Sequence, residues 1–168
     1  MKPQTAISGD QMWPVLLDWS DVLTAAMVGC RRHVDARVRG RCKEYRNPDN
    51  FQIDIDGACG EMAVAQALGL FWSASVGRVD AADVGGMVEV RSTVEHHHRL
   101  IIKTTDADGS PYVLVTGAPP RFLLRGWIFG ADAKRREYWK ADAPSPAFFG
   151  PHAALRPMPE LVALLRKE

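Results

Sequence analysis

The sequence has few cysteines, and their spacing does not suit a disulfide framework or a zinc site. There are three in 168 residues, at positions 30, 42 and 59. An odd number without CxxC spacing argues against a set of structural disulfides and against a zinc cluster. We therefore expect reduced thiols, mostly packed in the core, in a cytoplasmic protein.

Long apolar runs and a strong net charge are lacking too. No run approaches the roughly 20 residues that cross a bilayer, and the N-terminus, MKPQTAISGDQMW, has no apolar signal-peptide core. The sequence therefore predicts no membrane partner. The formal net charge is only +1, so any nucleic-acid binding depends on a local basic patch. Neither a Gly-rich phosphate loop nor a nucleophile-elbow motif is present.

The composition is typical of one soluble globular domain. Hydrophobic residues make up 46% and charged residues 24% of the chain, enough for a sizeable core. We divide the predicted domain into an N-terminal segment with a basic helix (1–50), a central core (51–140) and a C-terminal segment with a helix (141–168).

Apolar residues at three- and four-residue steps predict a long first helix, from about Asp18 to Tyr45. Asp18 or Ser20 can serve as its N-cap, Gly40 can end or bend it, and a turn is expected at 46–50. The stripe expected to face the core consists of Leu23, Met27, Cys30, Val34, Val38 and Cys42.

A second helix is predicted from Asp56 or Gly57 to Leu68, followed by a glycine cap. The period then changes to two and predicts five strands: Phe71–Val76, Met87–Ser92, Arg99–Thr104, Tyr112–Thr116 and Phe122–Phe129. We expect turns at 106–111, of hairpin type, and at 117–120, a short helix at 131–139, an irregular segment at 143–152 and a final helix with Pro159 near its start. This order indicates an α+β fold, with helices packed on a mixed or antiparallel sheet.

Carboxylates cluster in and around DVGGMVEVRST, residues 83–93. Glu89 and Arg91 share one face of a predicted strand because side chains alternate. They form either a weak surface ion pair or part of a site. The double glycine permits a tight turn that would bring Asp83 back beside Glu89. Asp83 then either caps the turn or shares a hard cation such as Mg²⁺ with Glu89.

Two further charged residues extend this cluster. Glu61 lies on the apolar stripe of the second helix, where a carboxylate needs a partner or a metal; alternatively, it interacts with the positive helix N-terminus. Lys103 lies on the next predicted strand and could reach the acidic face if the two strands pair.

At these residues the sequence resembles the PD-(D/E)xK nuclease superfamily, in particular small phage and bacterial members. The family's helix Glu corresponds to Glu61 in GEMAVAQAL, its Asp to Asp83 in DVGG, and its (D/E)xK motif to EVR, Glu89 to Arg91. A strand ending GWIFG before a polar helix adds to the likeness, which covers roughly residues 57–135. The resemblance implies a restriction-endonuclease-like core with a four- to five-stranded sheet.

The resemblance also implies a chemistry, which is hydrolysis of DNA phosphodiesters with Mg²⁺ or Mn²⁺. Asp83, Glu89 and the carbonyl of Val90 would hold the ion, and Glu61 would bind through water or hold a second ion. Arg91 stands where the family has a lysine that orients the attacking water. Arginine keeps the charge but stays protonated and is bulkier. Three possibilities follow: Arg91 takes the role of the lysine, Lys103 supplies the ammonium group, or the site has weak or no activity.

Basic residues concentrate on the first helix, giving a net charge of +5 between Arg31 and Arg46. Such a stripe suits contact with a phosphate backbone, although a solvated helix face explains it equally well. A second cluster lies beside Tyr138 and Trp139. The residues expected at duplex or branched DNA are Arg31, Arg37, Arg41, Lys134 and Arg135.

Three alternatives stay open: an active nuclease, a catalytically silent module that binds nucleic acid or a protein, and an interaction protein whose acids are surface charges. A homodimer is also left open. The three histidines of EHHHR (95–99) alternate in direction, so we interpret them as a polar loop between strands. Trp127 and Phe129 are expected in the core.

Overall fold

The structure is a computed structural model that describes residues 12–40, 51–77 and 82–166. Its helices are α1 (Trp19–Val38), α2 (Phe51–Leu68), α3 (Gly130–Ala133) and α4 (Met158–Leu165). Its strands are β1 (Trp13–Leu16), β2 (Glu89–Thr93), β3 (Leu100–Ile102), β4 (Pro111–Ala118), β5 (Arg121–Phe129), β6 (Trp139–Lys140) and β7 (Ala147–Gly150). The predicted α+β class is confirmed. No helix in the described ranges is long and apolar enough to cross a membrane.

These strands form two separate sheets. The larger has the order β1-β5-β4-β2, with β2 parallel to β4 and the other pairs antiparallel. The smaller, β3-β7-β6, is antiparallel. The β4–β5 hairpin turns at 117–120 as predicted, whereas the expected hairpin at 106–111 is wrong because β3 and β4 belong to different sheets.

Helix α1 begins at its predicted start but ends seven residues before Tyr45, close to Gly40, the alternative end. Asp18 is its N-cap, and the carboxylate accepts hydrogen bonds from the N–H groups of Ser20 and Asp21 at 2.8 and 2.9 Å. The helix ends at Val38, just before Gly40. The predicted turn at 46–50 lies outside the described residues.

The prediction of which face of α1 is buried was wrong. The side that packs inward carries Ala25, Gly29 and His33. Helix α2 passes so close that a Cβ on Gly29 would lie 2.6 Å from the Asp54 carbonyl oxygen. Only small residues allow this approach, so the larger apolar residues of α1 point outward.

Helix α2 begins at Phe51, five residues before the predicted start. It buries seven residues between Ala58 and Ala65, of which six are small or apolar and the seventh is Glu61. Its predicted end at Leu68 is confirmed, and the Leu70 N–H closes the last turn on the Ala65 carbonyl at 2.9 Å.

Some strand predictions were wrong. Residues 71–76 form no strand, only a single bridge between Trp72 and Val84. The 143–152 segment, expected to be irregular, contains β7, and β1 lies in the N-terminal segment, where no strand was predicted. The expected core position of Trp127 is confirmed, and Phe129 packs against the core.

Candidate functional site

A tight turn at Gly85 and Gly86 shapes the site. Both glycines have positive φ, +60° and +70°, a conformation that residues with a Cβ rarely adopt. The Val84 and Val88 backbones exchange two hydrogen bonds of 3.0 Å across the turn. The chain therefore reverses between Asp83 and the start of β2, as the double glycine predicted.

The reversal places Asp83 beside Glu89. The Asp83 carboxylate accepts a hydrogen bond from the Val90 N–H at 2.8 Å. The two carboxyl groups lie within hydrogen-bonding reach of each other. Burial, the larger effect, raises the pKa of Glu89, and the contact with Asp83 opposes this rise only in part. This juxtaposition of two acids is the centre of the candidate site.

Arg91 closes one side of the acid pair. Its guanidinium lies 3.7 Å from the Glu89 carboxylate and 3.0 Å from that of Asp106. It also donates to the Val90 carbonyl at 3.1 Å and covers the Tyr112 ring at 5.0 Å. Arg91 is therefore anchored on four sides, and it occupies one lone pair of the carbonyl expected to bind metal.

Glu61 lies on the other side and is paired within the fold. Arg32 of α1 holds both of its carboxylate oxygens, at 2.6 and 2.8 Å, and the Trp72 indole N–H donates at 2.9 Å. Arg32 also donates to the Ser75 carbonyl at 2.8 Å. Glu61 is in the middle of α2 and buried, so the alternative of a helix N-terminal interaction was wrong.

The cluster carries excess negative charge. Among the described residues, only two guanidinium groups, those of Arg32 and Arg91, lie against four carboxylates. The carboxylates are those of Glu61, Asp83, Glu89 and Asp106. Burial, with a further contribution from the charge on Glu61, raises the pKa of Asp83 to about 7. Burial also raises the pKa of Glu89, although the charge on Arg91 opposes this. The site therefore favours an added proton or cation.

Tyr112 of β4 lies under this cluster. Burial, with the charges on Asp106 and Glu89, raises the pKa of its hydroxyl to about 12. The phenol is therefore neutral, and it cannot serve as a base near neutral pH.

The donor set suits a hard cation held by two carboxylates. No group of three or more His, Cys, Asp or Glu side chains within the described ranges is arranged to hold a metal ion. Mg²⁺ commonly takes one or two carboxylates and completes its shell with water and substrate oxygens. Asp83 and Glu89 fit that pattern, whereas both oxygens of Glu61 are engaged by Arg32 and Trp72.

Lys103 does not reach the acids by the predicted route. Strand β3 pairs with β7 and not with β2, and Lys103 follows the end of β3 with its side chain exposed. Its backbone N–H donates to the Asp106 carboxylate at 2.9 Å. The residue therefore borders the cluster through its backbone.

The residues predicted to bind DNA have different surroundings. Arg31 and Arg37 are exposed on α1, and Arg41 lies outside the described residues. The Lys134 ammonium donates to the Thr104 and Asp106 carbonyls and to the Asp108 carboxylate, at 3.2, 2.5 and 2.6 Å. All three of its donors are used, so it cannot contact phosphate without giving up one of these bonds.

Arg135 is exposed, pairs with Glu137 at 3.8 Å and lies 6.0 Å from the Tyr138 ring. The histidines at 96–98 form a loop between β2 and β3, as predicted. His96 and His98 hydrogen bond to Thr116 and Thr93, at 2.9 and 2.8 Å. These bonds point the two imidazoles toward different strands.

Sequence reasoning missed two members of the site. Arg32 was counted with the basic stripe of α1, yet it faces Glu61, which lies 29 residues further along. Asp106 was assigned to a turn. The helical position of Arg32, three residues from Gly29 and seven from Ala25, is a signal that could have placed it on the inner face.

Comparison with known proteins adds no family assignment. No protein-family model matches this chain, and no curated protein and no solved structure matches it either.

Proposed function

We propose that this protein is a metal-dependent nuclease that hydrolyses DNA phosphodiester bonds, with a site of the PD-(D/E)xK kind. The observation that carries the proposal is the fold-back of Asp83 onto β2, through its 2.8 Å bond with the Val90 N–H. This bond sets two carboxylates side by side next to an arginine, which is the constellation that the sequence motif implies.

The charge balance supports a divalent cation between Asp83 and Glu89. Two buried carboxylates this close are unfavourable unless a proton or a cation offsets their repulsion. Mg²⁺ or Mn²⁺, when bound, supplies Lewis acidity and a more acidic water. Glu61 does not need to bind the ion directly, because its negative charge adds to the field at Asp83.

Arg91 takes the place of the family's lysine in this proposal. Its contacts with Asp106 and the Val90 carbonyl fix the guanidinium next to Glu89. A fixed guanidinium can bind a phosphate oxygen and stabilise charge that develops in the transition state. It cannot accept the proton of the attacking water, since arginine stays protonated. Lys103 is less well supported, because β3 does not pair with β2.

DNA contact in this proposal depends on exposed basic residues. Arg31 and Arg37 on α1 and Arg135 after α3 are exposed. Contacts of this type are strongly weakened by salt and are insensitive to base sequence.

A silent nucleic-acid-binding or protein-binding module on the same fold is the second candidate. The engagement of Glu61 by Arg32 and Trp72, and the replacement of lysine by Arg91, favour it. A scaffold that has lost catalysis would keep a structural ion pair of this kind while losing the ammonium.

Cleavage of supercoiled plasmid with Mg²⁺ or Mn²⁺ tests the proposal. We expect cleavage by the wild type and its loss in Asp83→Ala and Glu89→Ala. Glu160→Ala, which removes an exposed acid of α4, is the matched control and should cleave normally. Equal activity in all four proteins would contradict the assignment. DNA binding without cleavage by the wild type would favour the silent module.

A further inference from the structure

An apolar stripe runs along the outward face of α1. Its members recur at steps of four, four, three, four and four residues and so share one face. They are Trp19, Leu23, Met27, Cys30, Val34 and Val38. Apart from half-buried Cys30, these side chains are between 49% and 81% exposed. The described part of the chain therefore leaves the most apolar side of this helix in solvent.

The size of the stripe indicates an interface. Five large side chains at this exposure, with flanking atoms, give an apolar patch of roughly 600 Å², at the upper end of what monomers expose. A standard interface buries about 800 Å² per partner. The helix is about 30 Å long, which is long enough to bury such an area against another helix.

The stripe is symmetric about the midpoint between Val28 and Gly29. Each member has a counterpart at the same distance on the other side of that midpoint. Two such helices packed antiparallel about a two-fold axis would therefore place each member opposite its counterpart. The facing pairs would be Trp19 with Val38, Leu23 with Val34, and Met27 with Cys30. Every pair sets a larger side chain against a smaller one, as close packing requires.

Charge also favours the antiparallel arrangement. Arg31 and Arg37 lie in the C-terminal half of α1, whereas the Asp21 carboxylate at the other end is turned inward and accepts a hydrogen bond from Gln66 of α2. Antiparallel pairing keeps the basic halves of the two helices apart, and it sets the two helix dipoles in opposition. Parallel pairing would bring the basic halves together.

We propose that the occupant of this stripe is a second copy of the chain, packed through α1 as an antiparallel, two-fold symmetric dimer. A two-fold interface uses the same patch on both subunits and must be self-complementary, which the stripe is. The proposal uses no residue of the acidic cluster and does not depend on the proposed chemistry, although Arg31 and Arg37 beside the stripe are also the residues proposed to contact DNA.

Sedimentation velocity on the full chain tests the proposal. We expect a dimer at about 100 µM protein. Met27→Glu should raise the dissociation constant of the dimer by roughly a hundredfold, because each subunit then places a carboxylate in the apolar interface next to the two-fold axis. Phe71→Ser, which removes an exposed apolar side chain outside the stripe, should leave the dimer intact. A monomeric wild type, or a dimer unaffected by Met27→Glu, would overturn the proposal.

Disulfide crosslinking tests the orientation of the helices. The background carries Cys30→Ala and Cys42→Ser, and it keeps the fully buried Cys59. Leu23→Cys mixed with Val34→Cys should crosslink on mild oxidation, whereas Leu23→Cys alone should not. Crosslinking of Leu23→Cys with itself would indicate parallel helices and would overturn the antiparallel arrangement.

Discussion

Asp83 accepts a hydrogen bond at 2.8 Å from the backbone N–H of Val90, the residue that follows Glu89. This bond crosses a turn of two glycines and holds one carboxyl group beside another. The chemistry that we propose for the protein depends on this relationship, and it has consequences for stability that can be measured without any substrate.

The first prediction concerns pH. Burial, with the charge on Glu61, raises the pKa of Asp83 from an ordinary value of 3.8 to about 7. Between these values the folded state binds more protons than the unfolded state, so Asp83 makes stability fall from about pH 4 to pH 7 and level off above. Asp83→Asn keeps an acceptor for the Val90 N–H and carries no charge. Urea denaturation should show this variant more stable than wild type at pH 8, by a few kcal/mol at most, and nearly equal to it at pH 4.

The control for this experiment is Asp142→Asn, since Asp142 is exposed. It should follow the wild-type pH profile. If Asp83→Asn also follows the wild-type profile, the surroundings of Asp83 do not raise its pKa, and the description of the cluster is wrong.

The second prediction concerns the pair that joins α1 to α2. Arg32→Met would leave the Glu61 carboxylate buried without its cation, and removing one partner of a buried pair costs roughly 3–5 kcal/mol. Replacing both residues with methionine should recover much of that loss, because no buried charge then remains. Chemical denaturation of the two single variants and the double variant measures the coupling.

Arg39→Met is the matched control, because the pair of Arg39 with Asp35 is one helical turn apart and partly exposed. The loss of this ion pair should lower the free energy of unfolding by no more than about 0.5 kcal/mol. An Arg32→Met variant as stable as Arg39→Met would contradict the structural role given to the pair of Arg32 and Glu61.

The third prediction concerns Arg91. Under the nuclease proposal, Arg91→Ala removes a fixed positive charge next to the acids and should lower the plasmid cleavage rate by roughly a hundredfold. Arg91→Lys keeps the charge and introduces the lysine that the PD-(D/E)xK motif has at this position, so under the same proposal it should cleave at least as fast as wild type. Undiminished cleavage by Arg91→Ala would exclude a role for this residue in the reaction.

The fourth prediction concerns the turn. Gly86 has open space around it but a φ of +70°, so Gly86→Ala should cost about 1–2 kcal/mol through backbone strain alone. Gly86→Asn should cost less, because asparagine tolerates this conformation better. Gly109→Ala, at a position with open space and no positive φ, should be close to neutral in thermal denaturation. Equal stability of the two alanine variants would argue against a turn that requires glycine.

Local signals in the sequence were sufficient for the parts of the fold that local chemistry determines. The Asp18 cap, the end of α2 at Leu68 and the turn at Gly85 and Gly86 depend on residues within a few positions of each other. The inward face of α1 could not be read in the same way. Apolar residues at helical spacing predict a buried stripe, whereas the close crossing at Gly29 demands small residues.

The pairing of the strands was the other feature that the sequence did not predict. The partner of β3 is β7, nearly 50 residues away in a segment with prolines at 144 and 146, and nothing near Lys103 indicates that choice. The expected approach of Lys103 to the acids failed for this reason. The juxtaposition of Asp83 and Glu89 was predicted because only six positions and a glycine turn separate them. The contact of Arg32 with Glu61 depends on how α1 and α2 cross, which the sequence does not indicate.

The central claim is that Asp83 and Glu89 together form a cation site. Titration of the full chain with Mn²⁺, followed by the electron paramagnetic resonance signal of the free ion, tests it directly. We expect one Mn²⁺ bound at pH 8, weaker binding below pH 7 as Asp83 is protonated, and loss of binding in both Asp83→Asn and Glu89→Gln. Binding of the same strength in the wild type and both variants, or none in the wild type, would contradict the claim.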